Sequence, residues 1–412
     1  MKKRALFLVL ALVFFEWLDF SLYLYLAGAV FAKEFFPASN YSLMLSFALF
    51  AAAYFARPIG GWLFGREADL NGRRHPMLLS AALMGVAMLG ICLLPGYEQI
   101  GLWATWGLLL LRITQALALG GEINTSAMFL VEHSPGKPLI AGGLVAASAA
   151  LGMFMGGALA SLLQWFSLNH AWRVVFAVVG GLSLWVCCLR KQLTESPEFQ
   201  KNQSKAIHPW QHHWRGLVNI AAMGIFVSVM VYICNVFWVS FAVDKQFMTK
   251  LQCAWMGSFA QLISALLALP IAYFSRPQHV YRLIQGSMVI LMIVAPMLFH
   301  FTASHQTIAV LFSLSGYALS NSLLCAALYY FLYLQLPPKY RCRGVSTVWA
   351  LAASVGAISL PLAEQAKLVG ALWLPGLFVS TVALICLILL HFSAFSGKKR
   401  TNSLPTALPI ID

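Results

Sequence analysis

Gly65-Arg66-Glu67-Ala68-Asp69-Leu70-Asn71-Gly72-Arg73-Arg74 is a polar stretch set between two apolar runs of helix length. It holds three arginines, two acids and the turn-forming Gly72, while each flanking run is long enough to cross a bilayer. Such a segment reads as a loop at a membrane face. Its excess of Arg marks that face as cytoplasmic, because loops rich in Lys and Arg are retained inside.

The rest of the composition agrees. Of 412 residues, 60% are hydrophobic and 10% charged, with a mean hydropathy of +0.79, too few charges to cover a soluble globule. The net charge of +14 comes from short basic clusters between apolar runs rather than from one basic domain. That points to membrane topology and away from nucleic acid. The eight cysteines show no metal-ligand spacing and no compact disulfide pattern, and read as small core residues. The run after Met1-Lys2-Lys3-Arg4 continues to about Val30 and carries Glu16 and Asp19, so it reads as a first span rather than a signal peptide.

Twelve spans follow, at approximately 5–31, 42–65, 76–95, 100–131, 138–164, 171–190, 215–243, 251–274, 281–300, 306–335, 344–366 and 370–394. With both termini inside, 20 of the 27 basic residues fall in cytoplasmic segments and five in outer loops, while Arg57 and Arg112 lie within spans. This asymmetry favours the even count. The break from Arg190 to Arg215 contains Glu195-Ser196-Pro197-Glu198-Phe199 and a tract from Ile207 to Trp214 with three histidines, which reads as a solvated linker rather than a metal site. The expected organisation is all-α: a first six-helix bundle at 1–190, a linker at 191–214, a second bundle at 215–396 and a tail at 397–412 without heptads.

Charges in the middle of a span cost at least about 2.5–3.5 kcal/mol on insertion scales, so they face a bundle interior or a water-filled cavity. Glu16, Asp19 and Tyr23 share one face of the first helix at spacings of three and four. Two carboxylates this close in low dielectric make a candidate proton site, or else a structural pair held by neighbouring helices. On the fourth helix Arg112 and Glu122 stand ten residues apart, about 15 Å along the axis, too far to pair directly. Arg112 is therefore open to a carboxylate from Asp19, Glu16 or a substrate, with Gln115 one turn on. Gly120 and Gly121 beside Glu122 imply close backbone packing. Ser148, Gly152, Gly156 and Ala160 form a small-residue ridge for helix contact. Arg57-Pro58 reads as a kink near the cytoplasmic half of the second span, where the Arg snorkels or pairs. The second half offers fewer charges. Its candidates for substrate contact are Tyr232, Asn235 and Trp238 at three-residue spacing, then Asn321 and Trp349, which join Tyr23, Arg112 and Gln115 from the first half.

Asp69-Leu70-Asn71-Gly72-Arg73-Arg74, with Arg57-Pro58-Ile59-Gly60-Gly61 before it, resembles the loop between helices 2 and 3 of the major facilitator superfamily. The form is that of its metabolite:proton symporters, which include permeases for proline and betaine, citrate, α-ketoglutarate and shikimate. Glu16-Trp17-Leu18-Asp19-Phe20, Arg112-Ile113-Thr114-Gln115, Gly120-Gly121-Glu122, Trp172-Arg173 and Leu336-Pro337 with Arg341 and Gly344 align in kind and order. The sequence departs from the pattern at Leu70, at Leu12-Val13, at Trp349-Ala350 and in the second-half loop Ser275 to His279.

The resemblance implies a proton-coupled importer of a small carboxylate-bearing metabolite, working by alternating access in a bacterial inner membrane as a monomer, with no cofactor, metal or enzymatic activity. Glu16, Asp19, Arg112 and Glu122 would handle protons. Gly65, Asp69, Gly72, Arg73 and Arg74 would latch the cytoplasmic side against helix 11. No Gly-rich Lys-Ser/Thr loop is present for ATP-driven transport. Export of a drug or siderophore on the same fold, or a membrane receptor that does not transport, are the alternatives.

Overall fold

The computed structural model describes residues 3–38, 42–134, 136–166, 171–190, 195 and 213–401. Most of the linker, including the first two histidines of its tract, and most of the tail lie outside the described residues, and so do their predicted roles.

The first bundle runs α1 (Lys3–Leu26), α2 (Ser42–Tyr54 and Arg57–Asn71), α3 (Arg74–Leu93), α4 (Leu102–Glu132), α5 (Pro138–Trp165) and α6 (Ala171–Arg190). The second begins with α7, Trp214–Val231, which passes through a π-helical turn, Tyr232–Phe237, into Trp238–Asp244. It continues with α8 (Lys250–Phe274), α9 (Val280–Ala303), α10 (Thr307–Gln335), α11 (Arg341–Ala357 and Ser359–Leu368) and α12 (Leu374–Thr401). Among the described residues, eleven stretches are long and apolar enough to cross a membrane. The twelfth span, α2, is interrupted at Phe55-Ala56, just ahead of Pro58. Proline lacks the amide needed inside a helix but is tolerated in a first turn, so a new helix starts at Arg57.

Packing repeats with an offset of six helices. α1 lies on α5 as α7 lies on α11, and α3 on α6 as α9 on α12. α2 lies on α4 as α8 on α10. The bundles meet along two seams, α2 against α11 and α5 against α8, the same pairing seen from opposite halves. Val174, Val178, Leu182 and Trp185 form one exposed stripe on α6, an apolar face suited to lipid. The ridge on α5 seats α1: a Cβ on Gly156 would come within 2.9 Å of Leu22 N, and Ser148 Oγ donates to Leu10 O at 2.7 Å.

The stretch from Gly65 to Arg74 differs from the expected loop, for α2 continues helically to Asn71. Its polar side chains support that extra turn, with Asn71 Nδ2 donating to Glu67 Oε1 at 2.9 Å, four residues back. The reversal is confined to Gly72, whose φ of +108° is open only to glycine, and Arg73. Contact at the α2–α11 seam depends on small residues. A Cβ on Gly61 would sit 2.7 Å from Ser346 O, and one on Gly65 would sit 2.7 Å from Arg343 Cα. Gly65→Val should therefore prise α2 from α11 and expose the fully buried thiol of Cys342. Maleimide labelling of Cys342, read by peptide mass spectrometry, should accelerate at least tenfold by order of magnitude; an unchanged rate would show that the seam does not need this approach.

Candidate functional site

The buried charges sort into two places. In the first, Asp19 of α1 meets Arg112 and Gln115 of α4. Gln115 Nε2 donates to Asp19 Oδ2 at 2.9 Å and Arg112 Nη1 reaches the same oxygen at 3.4 Å. The Arg112 guanidinium stands 3.5 Å from the ring centroid of Tyr23, whose hydroxyl lies 3.4 Å from Ser46 Oγ. The spacing explains the convergence, since Asp19 and Tyr23 are four residues apart on one helix and Arg112 and Gln115 three apart on the other. A cavity of about 30 Å³ opens beside this cluster, bounded by Asp19, Tyr54, Met84, Arg112 and Gln115 among others. Every lining residue belongs to α1–α4. It has room for water but not for a metabolite, and it lies inside the first bundle rather than between bundles.

Other predicted residues go elsewhere. Glu16 is buried within electrostatic reach of Tyr329 on α10, so the two acids of α1 turn to different neighbours. Glu122 is buried and accepts from Ser80 Oγ at 3.2 Å, away from Arg112. Tyr232, Asn235 and Trp238, candidates for substrate contact at three-residue spacing, meet different neighbours in the structure. The π-helical turn changes the residues per turn, so a spacing of three no longer keeps a face. Tyr232 packs toward the first bundle, its ring 6.3 Å from those of Phe20 and Tyr54. Asn235 receives Tyr25 Oη at 3.4 Å and donates to Gly257 O at 2.9 Å. Trp238 instead points into the second bundle, where its Nε1 donates to Thr302 Oγ1 at 2.9 Å. Asn321 donates to Gln261 Oε1 at 3.1 Å, and Gln261 in turn donates to Tyr317 Oη at 3.0 Å. Trp349 is buried where α11 crosses Gly224 of α7.

The second place is the cytoplasmic seam, and there the predicted latch residues come together. Asp69 accepts the backbone amides of Cys342 at 3.2 Å and Arg343 at 2.9 Å. Arg73 pairs with Asp69 at 3.0 Å and reaches Pro338 O at 3.1 Å, so α2, α3 and α11 are tied by one guanidinium and one carboxylate. Glu195 from the linker accepts the amides of Arg73 at 2.8 Å and Arg74 at 3.2 Å, closing over Gly72. Burial is the larger influence on Asp69 and outweighs Arg73 and the two amides, pushing its carboxyl up to about 6.

One participant was not singled out in the sequence. Glu132, at the end of α4 with its side chain fully buried, pairs with Arg73 at 3.2 Å and with Arg341 at 3.0 Å, joining both bundles through one carboxylate. The signal that could have found it is an acid closing the long apolar run of α4, just ahead of the turn at His133-Ser134. Arg57 was expected to snorkel or pair; it is 2% exposed and does not snorkel, and its Nη1 donates to Tyr54 Oη.

Among the described residues, twelve helical spans in two bundles, with charges buried inside the spans and a closed ionic seam at one face, define a multi-pass membrane protein. The chain belongs to the Major Facilitator Superfamily, whose model matches residues 9–361. It is 37% identical over 220 residues to the α-ketoglutarate permease of Escherichia coli strain K12, covering 48% of each chain. It is 33% identical over 196 residues to the shikimate transporter of the same strain, covering 46% of this chain and 45% of that one. Against the proline/betaine transporter of Salmonella typhimurium it is 28% identical over 241 residues, covering 53% and 48%. The chain spans about half the length of the curated relatives it matches. These proteins are permeases and transporters, not enzymes. Among solved structures, the human organic anion transporter MFSD10 superposes with a TM-score of 0.74 at 15% identity, over 94% of this chain and 99% of that one. The proton:xylose symporter XylE superposes at 0.73, also at 15% identity, over 94% and 95%.

Glu132→Gln should leave two buried guanidinium groups short of their shared charge, costing the latched state about 3–5 kcal/mol. The expected readout is a lower Tm together with faster Cys342 labelling, and loss of Tm alone would assign Glu132 a purely structural part. Asp69 gives a signed pH dependence. Its carboxyl titrates higher in the latched state than the ordinary 3.8 of an exposed aspartate, so the stabilisation is fully present below 3.8 and is lost as pH rises through about 6. Spin labels at Leu70 and Lys339 should show a short cytoplasmic distance at low pH that lengthens through this window, and Asp69→Asn should flatten the change.

Proposed function

We propose that this protein is a proton-coupled importer of a small carboxylate-bearing metabolite, working by alternating access, with the proton carried on Asp19. The observation that carries the reading is the Asp19–Arg112–Gln115 cluster around a water-sized cavity. A carboxylate held by one arginine and one amide, with room for water alone, is suited to taking up and releasing a proton while excluding a larger solute. Such a proton changes the charge facing Arg112 inside α1–α4, which biases how this bundle packs against the other.

Support for the solute class comes from the relatives. α-Ketoglutarate, shikimate, proline and betaine all carry a carboxylate, and the proteins named for them match this chain over roughly half its length. Support for alternating access comes from the seam of Asp69, Arg73, Glu132 and Arg341, whose partners lie on both bundles at the cytoplasmic face. With that seam closed, the structure corresponds to a state shut toward the cytoplasm, and the conformational cycle requires the seam to open for release. The proposed setting is the bacterial inner membrane, with lipid around the apolar faces and the monomer as the working unit.

The purified chain in proteoliposomes, offered labelled α-ketoglutarate, shikimate, L-proline and glycine betaine, should accumulate one of them when a proton gradient is directed inward. Accumulation should stop when the gradient is collapsed by a protonophore. A gradient that drives solute outward would replace import with export. Ligand-induced thermal stabilisation without flux in either direction would make the protein a receptor.

A further inference from the structure

Each buried arginine that pairs within the described residues finds a carboxylate, with one exception. Arg112 has Asp19, and Arg73 and Arg341 share Glu132. Arg57, just as deeply buried, takes only the phenol of Tyr54, with its guanidinium 4.9 Å from that ring's centroid. Its Nε is buried without a hydrogen-bond partner. With Nη1 occupied by Tyr54, Nε is the N–H left without an acceptor, on the edge by which a guanidinium meets a carboxylate side-on.

The place of this edge in the fold matters as much as its chemistry. Arg57 starts the second segment of α2, fourteen residues from Asn71 and so about 21 Å along the axis from the cytoplasmic end, well inside a hydrocarbon core of about 30 Å. Close packing against α4 pins its backbone, for a Cβ on Gly120 would collide with the Arg57 carbonyl. Its charge acts across to Tyr232 of α7 and Tyr329 of α10, both on the other bundle, and Tyr54 O accepts from Ser354 Oγ of α11 at 3.0 Å. Arg57 therefore faces the surface between the bundles, whereas the Asp19–Arg112 cavity is walled by α1–α4 alone. The guanidinium makes no ion pair among the described residues, and although the buried Glu16 also acts on Tyr329, an anionic ligand at this place would give Arg57 the direct carboxylate partner that the other buried arginines have.

We propose that Arg57 is the anchor for the carboxylate of the transported solute, with Tyr232 and Tyr329 flanking it from the second bundle. This rests on the carboxylate-import reading above and divides its labour: the proton goes to Asp19 and the solute's negative charge to Arg57. Tyr54 touches both places, as the acceptor of Arg57 Nη1 and as a wall of the Asp19 cavity, so occupation of one site is felt at the other.

The test compares a solute with its own methyl ester. Whichever of α-ketoglutarate, shikimate, L-proline or glycine betaine the wild-type protein accumulates is titrated, as acid and as ester, into purified full-length wild type, Arg57→Gln and Arg57→Lys. Wild type should prefer the acid, Arg57→Gln should lose at least about thirtyfold in acid affinity with little change for the ester, and the preference should collapse. Arg57→Lys keeps the charge without the planar fork. It should fold even where the Gln variant does not, and should lose about tenfold for the acid while retaining part of the preference. An acid-over-ester ratio that stays at the wild-type value in Arg57→Gln, or an unchanged acid affinity in Arg57→Lys, overturns the assignment while leaving carboxylate import intact. If wild type accumulates none of the four solutes, the import reading fails and the anchor falls with it.

Discussion

A charge inside an apolar phase must be compensated, and this constraint organises the molecule. Five ionisable side chains, Glu16, Asp19, Arg57, Arg112 and Glu122, are buried along the spans of the first bundle. The second bundle satisfies its interior with neutral groups instead, such as the chain from Asn321 through Gln261 to Tyr317 and the Ser287–Ser320 pair. A carboxylate that gains or loses a proton changes the packing free energy of the helices around it, whereas an amide network does not. Among the described residues, the bundles thus differ in chemistry, with titratable carboxylates inside the spans of the first and neutral hydrogen-bonded groups inside those of the second.

The same constraint accounts for the cytoplasmic seam. Asp69 and Glu132 each bind groups from both sides of the α2–α11 contact, so neither carboxylate is fully compensated unless the bundles are together. Hydrogen-bonded charge pairs of this kind fix a register sharply and add less stability than their number suggests, because desolvation opposes the attraction. That balance suits an interface that must close in one defined geometry and still reopen. Gly61 and Gly65 bring the backbones close enough for the pairing, and Gly72 allows the reversal that turns Arg73 back under α2.

Much of this was legible in the residues. Long apolar runs and the one-sided distribution of Lys and Arg disclosed the twelve spans, while acids on one face of the first helix and an arginine on the fourth too far from Glu122 to pair pointed to the neighbourhood of Asp19 and Arg112. What was hidden depended on distance or on local geometry. Glu132 meets Arg341 across 209 residues, and no local pattern announces that pairing. The π-helical turn at Tyr232–Phe237 is not signalled by any spacing in the chain, and Asn235 and Trp238 meet Gly257 and Thr302 respectively. The stretch from Gly65 to Arg74 looked like a loop because it is polar, yet its polar side chains bond along the helix and extend it. Arg57 read as a residue within the second span that snorkels or pairs, because nothing in the chain shows that the interruption at Phe55-Ala56 holds its guanidinium against Tyr54.

The central claim is that Asp19 couples the proton to movement without itself holding the solute, and separating exchange from accumulation tests it most directly. Asp19→Asn should carry out counterflow, swapping labelled for unlabelled solute across the proteoliposome at a rate near wild type, while no longer concentrating solute in response to an inward proton gradient. Full gradient-driven accumulation by Asp19→Asn would contradict the account, and so would loss of counterflow in a variant that still binds the solute.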